Sequence, residues 1–574
     1  MGGIVVITLY IIVNSLIVDT KEDIFSEKKT INKIIDASAY INKEGIHETN
    51  DALDGTSIGR FEENAWIQYN DIDFGEGEAK VFMIVAAPQE KTRLELRIDS
   101  LNGEIIGSLE MIDQDCGTYF KEYYTPIKTI RGVHDLYICS KDASDVSIDI
   151  FALSSYSGNE TQEEKNNRMD WWRKAKYGEF IHFGAYANYP FGENWQADGE
   201  RGYGEWVMYN EALSSSEYEK LCVKTFNPSK FDAEKIVQDA FEAGMRYIVF
   251  TAKHHEGFSM YDTNVEGFAP FDIMDYGNYK GEDPVLALSR ECKSRGMKFG
   301  CYYSIIDWHH EEQSDFGETI YDKEAYIEGM KSQLRELIQK YDVDILWFDG
   351  EWVEWWEEED GKELYRYLRT LKPSIIINNR IGKRLETDGD FGTPEQIVPL
   401  NSDDFAWESC ITMNNSWGYV PEDEDWKSPE WIISSLVSTV SRGGNILLNV
   451  GPDDEGVVPE QCLKNLKEAG EWLRSYGDSI FNTTASPFTK ELSFGAATKK
   501  EGVLFLHILK YPRSREIVIP EIKNEVSSVT IMGENDELHY YDDDGSIIIE
   551  LPPDSQRLYD TVIQVKVEGI PAEK

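Results

Sequence analysis

At 574 residues the chain is too long for a single small module and holds roughly four domains' worth of sequence, or three if one is a large barrel. Its 57 Lys and Arg against 105 Asp and Glu leave a net charge of −48, which repels phosphate backbones and anionic headgroups and excludes nucleic acid as an expected partner. Apolar residues at 41% and aromatic residues at 12%, with 15 Trp and 31 Tyr, supply enough mass for real cores and exclude a disordered chain; aromatic side chains in that number also suit the apolar C–H faces of carbohydrate.

The first element is the apolar run IVVITLYIIVNSLIV (4–18), too short for a membrane span and of the length of a signal-peptide core. Residues 1–20 are therefore set aside as signal-like. The protein is expected outside the cell or in the periplasm, with no membrane insertion once the signal is removed. From 30 to 153, short alternating runs such as AWIQYNDIDF, KVFMIVAA and VSIDIFAL, separated by turn residues, predict a β-sandwich. Seven Cys without a C-x-x-C pair give no zinc or redox signature, and only Cys116 and Cys139, both in this module, are candidates to pair. The polar stretch SSYSGNETQEEKNNR (154–168) lacks an apolar period and reads as a linker.

From 169 to 482, strand-like runs alternate with amphipathic helical stretches: EFIHFG, YIVFTAK, KFGCYYS, ILWFDG, SIIINNR, FAWESC and NILLNVG are the strand candidates. This pattern predicts a parallel sheet and, at this length, a (β/α)8-like TIM-type barrel flanked by β-sandwich domains; no nucleotide-binding glycine motif follows any strand. Alternation with period two returns from 485 to 574 and predicts a C-terminal all-β sandwich domain.

In such a barrel the active site lies at the C-terminal ends of the strands. Those ends carry His182, Lys253, His254, His255, Tyr302, Tyr303, Ser304, Asp349, Asn378, Asn379, Arg380, Glu408 and Asn449, with Glu205, Trp206 and Trp417 in adjoining loops. Carboxylates, imidazoles, amides and aromatics with little lysine fit a sugar site. Asp349, ending the run ILWF, is the leading catalytic carboxylate, with a helix N-cap as the bland alternative. A retaining glycosidase needs a second carboxyl group as acid and base. Glu395 on the Gly/Pro-rich loop GDFGTPEQ and Glu408 in AWESC compete for it, with Glu205 behind them. His254 and His255, and the pair His309–His310, do not make a metal motif, because neighbours on a strand face opposite ways; one of His254 and His255 is then open to a core role, and His309 and His310 read as a solvated loop.

The motifs WWRKAKYGEFIHFGAY, GEWVMY, TAKHHEGFSMYDT, ILWFDGEW, NNRIG, WESCITMNNSWGY and GGNILLNVGPDDEG, in this order over about 165–480, resemble those of the family 29 α-L-fucosidases. The resemblance implies a barrel followed by a β-sandwich. It also implies an exo-acting retaining hydrolase that releases terminal α-L-fucose from fucosylated glycans by double displacement, with no catalytic cofactor and no metal in the catalytic site. Matched motif by motif, it implies Asp349 as nucleophile and Glu395 as acid/base with Glu408 as runner-up. His182, His254, His255, Trp206, Glu205, Tyr303 and Arg380 then line the sugar pocket, with Phe180 and Trp417 near the fucose methyl. Residues 30–153 resemble a family 6 carbohydrate-binding module through IDASAYINKEGIHE, WIQYNDIDFGEGEAKVF, LELRIDSLNGEIIGSLE and GVHDLYI. That resemblance implies glycan stacking, here by Tyr40 and Tyr119, and a structural Ca²⁺ of the kind such modules often hold. Two rivals stay open: a non-catalytic glycan-binding protein of the same fold, and a retaining glycosidase for a related sugar.

Overall fold

A computed structural model describes residues 31–574 apart from 53–54, 113–118, 193–194, 196–201 and 401–404. The signal-like residues 1–20 lie outside the described residues, and so does Cys116; Cys139 stands as a free thiol. No helix among the described residues is long and apolar enough to cross a membrane. The chain divides into two compact units, one taking the N-terminal residues to Asn159 together with Arg369–Pro373, the other the remainder.

The first unit is a β-sandwich of a six-stranded and a five-stranded sheet. Its strands alternate as the sequence pattern requires. In Trp66–Asp73 the buried side chains are Ile67, Tyr69 and Ile72. These meet Phe82, Ile84, Leu94, Leu96, Leu136 and Phe151 in one core, where the Tyr69 hydroxyl donates to the Ala37 carbonyl at 2.7 Å. A buried polar tip without such a partner would carry a desolvation cost of about 1–3 kcal/mol.

The second unit begins inside the stretch expected as a linker. Helix α1 (Gln162–Ala175) starts there because Thr161 and Glu164 form a reciprocal capping box: the Thr161 hydroxyl accepts from the Glu164 amide at 3.2 Å and the Glu164 carboxylate accepts from the Thr161 amide at 2.8 Å. Its first turns are polar, so the run carries no apolar period; only Met169, Trp172 and Ala175 are buried. Arg168 then ties the helix to the barrel through Asp390 and to its own entry through Glu160, both at 2.7 Å.

The barrel strands are β1 (Tyr177–Ile181), β2 (Tyr247–Lys253), β3 (Lys298–Ser304), β4 (Ile345–Asp349), β5 (Ile376–Ile377), β6 (Glu408–Thr412) and β7 (Asn445–Val450), all parallel, in the order β5-β4-β3-β2-β1-β7-β6. The two edges do not pair with each other. Both bridge in parallel to the segment between them, Asn378 with Phe391, Gly392 with Trp407 and Glu395 with Cys410. That segment takes the place of an eighth strand and closes the ring, so the expected (β/α)8-like barrel is present. Helices α2 (Ala233–Glu242), α3 (Pro284–Ser294), α4 (Lys323–Tyr341), α5 (Glu358–Leu371), α6 (Pro429–Ser441) and α7 (Glu460–Tyr476) follow the strands.

Alternation along the strands decides what the barrel encloses. Phe180, Tyr247, Val249, Tyr302, Ile345, Trp347, Ile376, Phe391 and Leu447 fill the interior. Ile345 and Trp347 therefore set the phase that aims Asp349, two residues further on, inward at the top of the barrel. The C-terminal region forms a four-stranded and a three-stranded antiparallel sheet around Leu504, Leu506, Ile517, Ile519, Ile549, Ile563 and Val565.

Candidate active site

Asp349 ends β4, and the next helix begins only at Glu358, so the N-cap alternative falls away. Its carboxylate is instead held from two sides. Arg380 donates to Oδ1 at 2.6 Å and the Tyr302 hydroxyl donates to Oδ2 at 2.9 Å, with His255 Nε2 at 3.6 Å from Oδ2. Burial works to raise its pKa, but the Arg380 guanidinium holds the carboxyl below its ordinary value. It is therefore ionised at neutral pH, the state a nucleophile needs.

Arg380 lies just past β5, its guanidinium buried and 4.6 Å from the Trp347 ring centroid. Its Nε donates to the Thr393 hydroxyl at 2.9 Å, and its second arm donates to Glu395 Oε2 at 2.8 Å. One planar fork thus grips Asp349 and Glu395 together. Glu395 sits on the ring-closing segment with 35% of its side chain exposed, so it meets both the site and the solvent.

Glu408 does not join them. It begins β6 rather than ending a strand, in register with Asn445 at the start of β7, so it lies at the opposite end of the barrel from Asp349. There it accepts from the Trp172 indole at 3.2 Å and from the Tyr247 hydroxyl, and burial pushes its pKa up to about 7. The expectation of a strand-end Glu408 is corrected by this register. Glu205 is on the site side: its Oε2 accepts from the Gly418 amide at 2.7 Å, its Oε1 has no partner among the described residues, and burial raises it to about 8.

Three histidines converge. His182 Nδ1 lies 2.6 Å from Asn449 Oδ1, and the Asn449 amide nitrogen donates to the Trp417 carbonyl at 2.8 Å, which leaves Oδ1 to accept from His182 Nδ1–H. Likewise the Ser304 hydroxyl donates to the Ile306 carbonyl at 2.6 Å and so accepts from His255 Nδ1–H at 2.7 Å. These partners assign both tautomers and leave each Nε2 lone pair for a ligand hydroxyl. Burial keeps His182 and His255 neutral, with values down to about 3 and about 4. His254 packs its ring parallel to Tyr302, 5.1 Å between centroids, and 4.2 Å from His255. Strand alternation does not separate these two, because β2 ends at Lys253 and the chain turns there. His309 and His310 are not a solvated loop: the first stacks on Phe271 at 3.6 Å and the second is buried against Phe268 and Tyr326.

Phe180 and Trp417 form the apolar wall, each within 4.5–6.0 Å of the other or of His182 between ring centroids. Trp206 meets His255 edge-on at 5.3 Å. Tyr303 is not in the site. β3 aims Tyr302 inward and Tyr303 outward, where its hydroxyl donates to Gln333 of α4 at 2.7 Å. The aromatic doublet gave no phase of its own, and Tyr302 is the residue that touches Asp349. Further site residues are Asn449, Ser304 and Thr393, together with Glu351, which pairs with Arg384 and is raised by burial and then by Asp349. Strand ends pointed to the first two; the loop residues Thr393 and Arg384 carry no sequence signal.

In the N-terminal sandwich Tyr40 donates its hydroxyl to Glu48 and has the Lys43 ammonium 4.6 Å from its ring centroid, so one face of that ring is already taken. Tyr119 is half-buried. No three His, Cys, Asp or Glu side chains among the described residues gather to hold a metal ion, which leaves the Ca²⁺ that the module's resemblance implies without support there.

Two family models match the chain: alpha-L-fucosidase over residues 148–478 and carbohydrate binding module (family 6) over 36–155. An alpha-L-fucosidase of Dictyostelium discoideum is 28% identical over 406 residues, 65% of this chain and 85% of that protein. The human tissue alpha-L-fucosidase is 26% identical over 404 residues, 67% of this chain and 84% of its own. Among solved structures, alpha-L-fucosidase isoenzyme 1 from Paenibacillus thiaminolyticus is similar with a TM-score of 0.62 at 30% identity, covering 70% of this chain and 99% of that one. A family 29 alpha-L-fucosidase from Bacteroides thetaiotaomicron, trapped as a covalent intermediate with 2-fluoro-fucosyl fluoride, gives 0.64 at 25% identity, covering 72% and 98%. With the family model spanning more than half of its length, the chain belongs to the alpha-L-fucosidase family and is a glycoside hydrolase with a family 6 carbohydrate-binding module at its N-terminal end.

Proposed function

We propose that the chain is an exported, exo-acting, retaining α-L-fucosidase that removes terminal α-L-fucose from fucosylated glycans. Asp349 attacks the anomeric carbon while Glu395 gives its proton to the leaving oxygen, forming a β-linked fucosyl ester on Asp349. Glu395 then takes a proton from water, which attacks the same carbon and releases α-L-fucose. The observation that carries this reading is the shared guanidinium: Arg380 bonds Asp349 at 2.6 Å and Glu395 at 2.8 Å, which supports two carboxyl groups acting on one bond. A retaining pair works at about 5–5.5 Å.

The lone pairs left on His182 and His255 Nε2 accept from sugar hydroxyls, and His254, Trp206 and Glu205 complete the polar side of the pocket. Phe180 and Trp417 receive the C6 methyl, whose burial is worth about 0.8 kcal/mol per apolar carbon, and a hydroxymethyl in its place would lack a partner there. The N-terminal module is proposed to hold the glycan near the enzyme, with Tyr119 and Tyr40 as its contacts.

The test is hydrolysis of a panel of aryl glycosides, with the first-formed anomer read by NMR. Turnover of the α-L-fucoside with α-L-fucose appearing first is the expected result. Release of β-L-fucose first sinks the double displacement, and preference for another sugar, or binding without turnover, sinks the substrate assignment.

A further inference from the structure

At the mouth of the barrel, aromatic side chains stand in solvent next to the catalytic groups. Trp352, three residues past Asp349, is 41% exposed, and Tyr209 is 50% exposed. Both pack on Trp206: Trp352 near-parallel to it at 6.2 Å, Tyr209 edge-on at 5.5 Å. Trp352 also meets His255 at 5.3 Å, and His255 in turn faces Asp349. Phe316 braces Tyr209 edge-on at 5.0 Å from a left-handed backbone (φ 56°, ψ 40°). The fold gains little from large apolar rings left in water, and a continuous patch of them beside a pocket marks a ligand surface.

Exposure decides which part of the ligand meets them. The groups assigned to fucose, Phe180, His182, His254 and Trp417, are all buried, whereas Trp352, Tyr209 and Glu395 reach solvent. In a pocket that takes a chain end, the terminal sugar fills the buried part, and the ring it is cleaved from stands at the rim beside the acid. We infer that Trp352 and Tyr209 form the platform on which the leaving sugar, a neutral pyranose with an apolar C–H face, stacks. This inference rests on the proposed function and adds the determinant for a saccharide leaving group.

The experiment compares kcat/KM on 2′-fucosyllactose and 3-fucosyllactose with kcat/KM on α-L-fucosyl fluoride, whose leaving group has no ring to stack. Trp352→Ala and Tyr209→Ala are each expected to lose about tenfold or more on whichever fucosyllactose the wild type cleaves. The loss on the fluoride is expected to be several-fold smaller, Trp352→Phe should recover most of the saccharide rate, and lactose should inhibit fluoride hydrolysis more weakly in the Ala variants. Equal losses on saccharide and fluoride, or no loss on the saccharide, overturn the platform. A wild type that cleaves none of the three substrates fails the proposed function itself, a result separate from either of these.

Discussion

Arg380 offers the sharpest perturbation, because one side chain holds both carboxylates. Replacing it with Met keeps most of the volume above Trp347 and removes the charge. Asp349 stays buried but loses the strongest influence keeping it ionised, so the upward push of burial prevails. Two unit charges about 4 Å apart in a medium of effective dielectric about 20 interact by about 4 kcal/mol. Arg384 still opposes burial, so the carboxyl moves upward by less than the loss of the Arg380 charge alone would give. A carboxylate with a raised pKa is protonated at higher pH, so the acid limb of activity moves upward. The assay is kcat/KM against pH on α-L-fucosyl fluoride: fluoride leaves without proton donation, and kcat/KM reports the glycosylating step, so the acid limb follows the nucleophile. Losing one partner of a buried pair costs about 3–5 kcal/mol of stability. Arg380→Lys, which keeps a charge and loses the fork, therefore serves as the folded comparison with a smaller shift. An acid limb that stays in place in both variants would refute the claim that Arg380 keeps Asp349 ionised.

Other outcomes follow from the same geometry. Tyr302→Phe removes a hydroxyl bonded to Asp349 and should lower kcat/KM by roughly tenfold or more, whereas Tyr303→Phe breaks only a bond to Gln333 and should alter thermal stability rather than rate; reversal of the two would show that the phase of β3 is wrong. Glu408, raised from 4.5 to about 7, keeps a proton in the folded state that the unfolded chain releases, so its contribution is full below about pH 4.5 and lost as pH rises to about 7. Glu408→Gln should remove about 2 kcal/mol of that pH dependence in denaturant titrations at pH 5 and 7.5 while leaving kcat/KM near wild type. Glu395→Gln should lose about 10²–10⁴ on a phenyl fucoside and far less on the fluoride; azide added to Glu395→Ala should give α-fucosyl azide, and the β product would instead mark it as the nucleophile.

Much of this site is readable in the chain because a barrel places its chemistry at strand ends. ILWF followed by Asp349 names the inward phase and the end of β4 together. Where the phase was ambiguous the reading slipped by one: KFGCYYS presents two aromatics, both buried, and only the register that places Tyr302 beside Trp347 and Ser304 beside Asp349 tells inside from outside. FAWESC slipped by a whole strand length, since its apolar residues precede the ladder and Glu408 opens it. The ring-closing segment 391–395 has no apolar period because it bridges its neighbours at single residues, yet it carries Glu395 and Thr393. The start of α1 was written in Thr161 and Glu164, whose capping box sits within a run too polar to show a helical face.

The central claim is that Asp349 is the atom donor to the covalent bond with fucose. Incubating the wild type with 2-deoxy-2-fluoro-α-L-fucosyl fluoride and mapping the modified peptide by mass spectrometry tests it most directly. One fluorofucosyl group, located by fragmentation on Asp349 itself and gained as activity is lost, is the predicted result. A label on Glu395, Glu351 or Glu205, or inactivation with no covalent adduct, would contradict it.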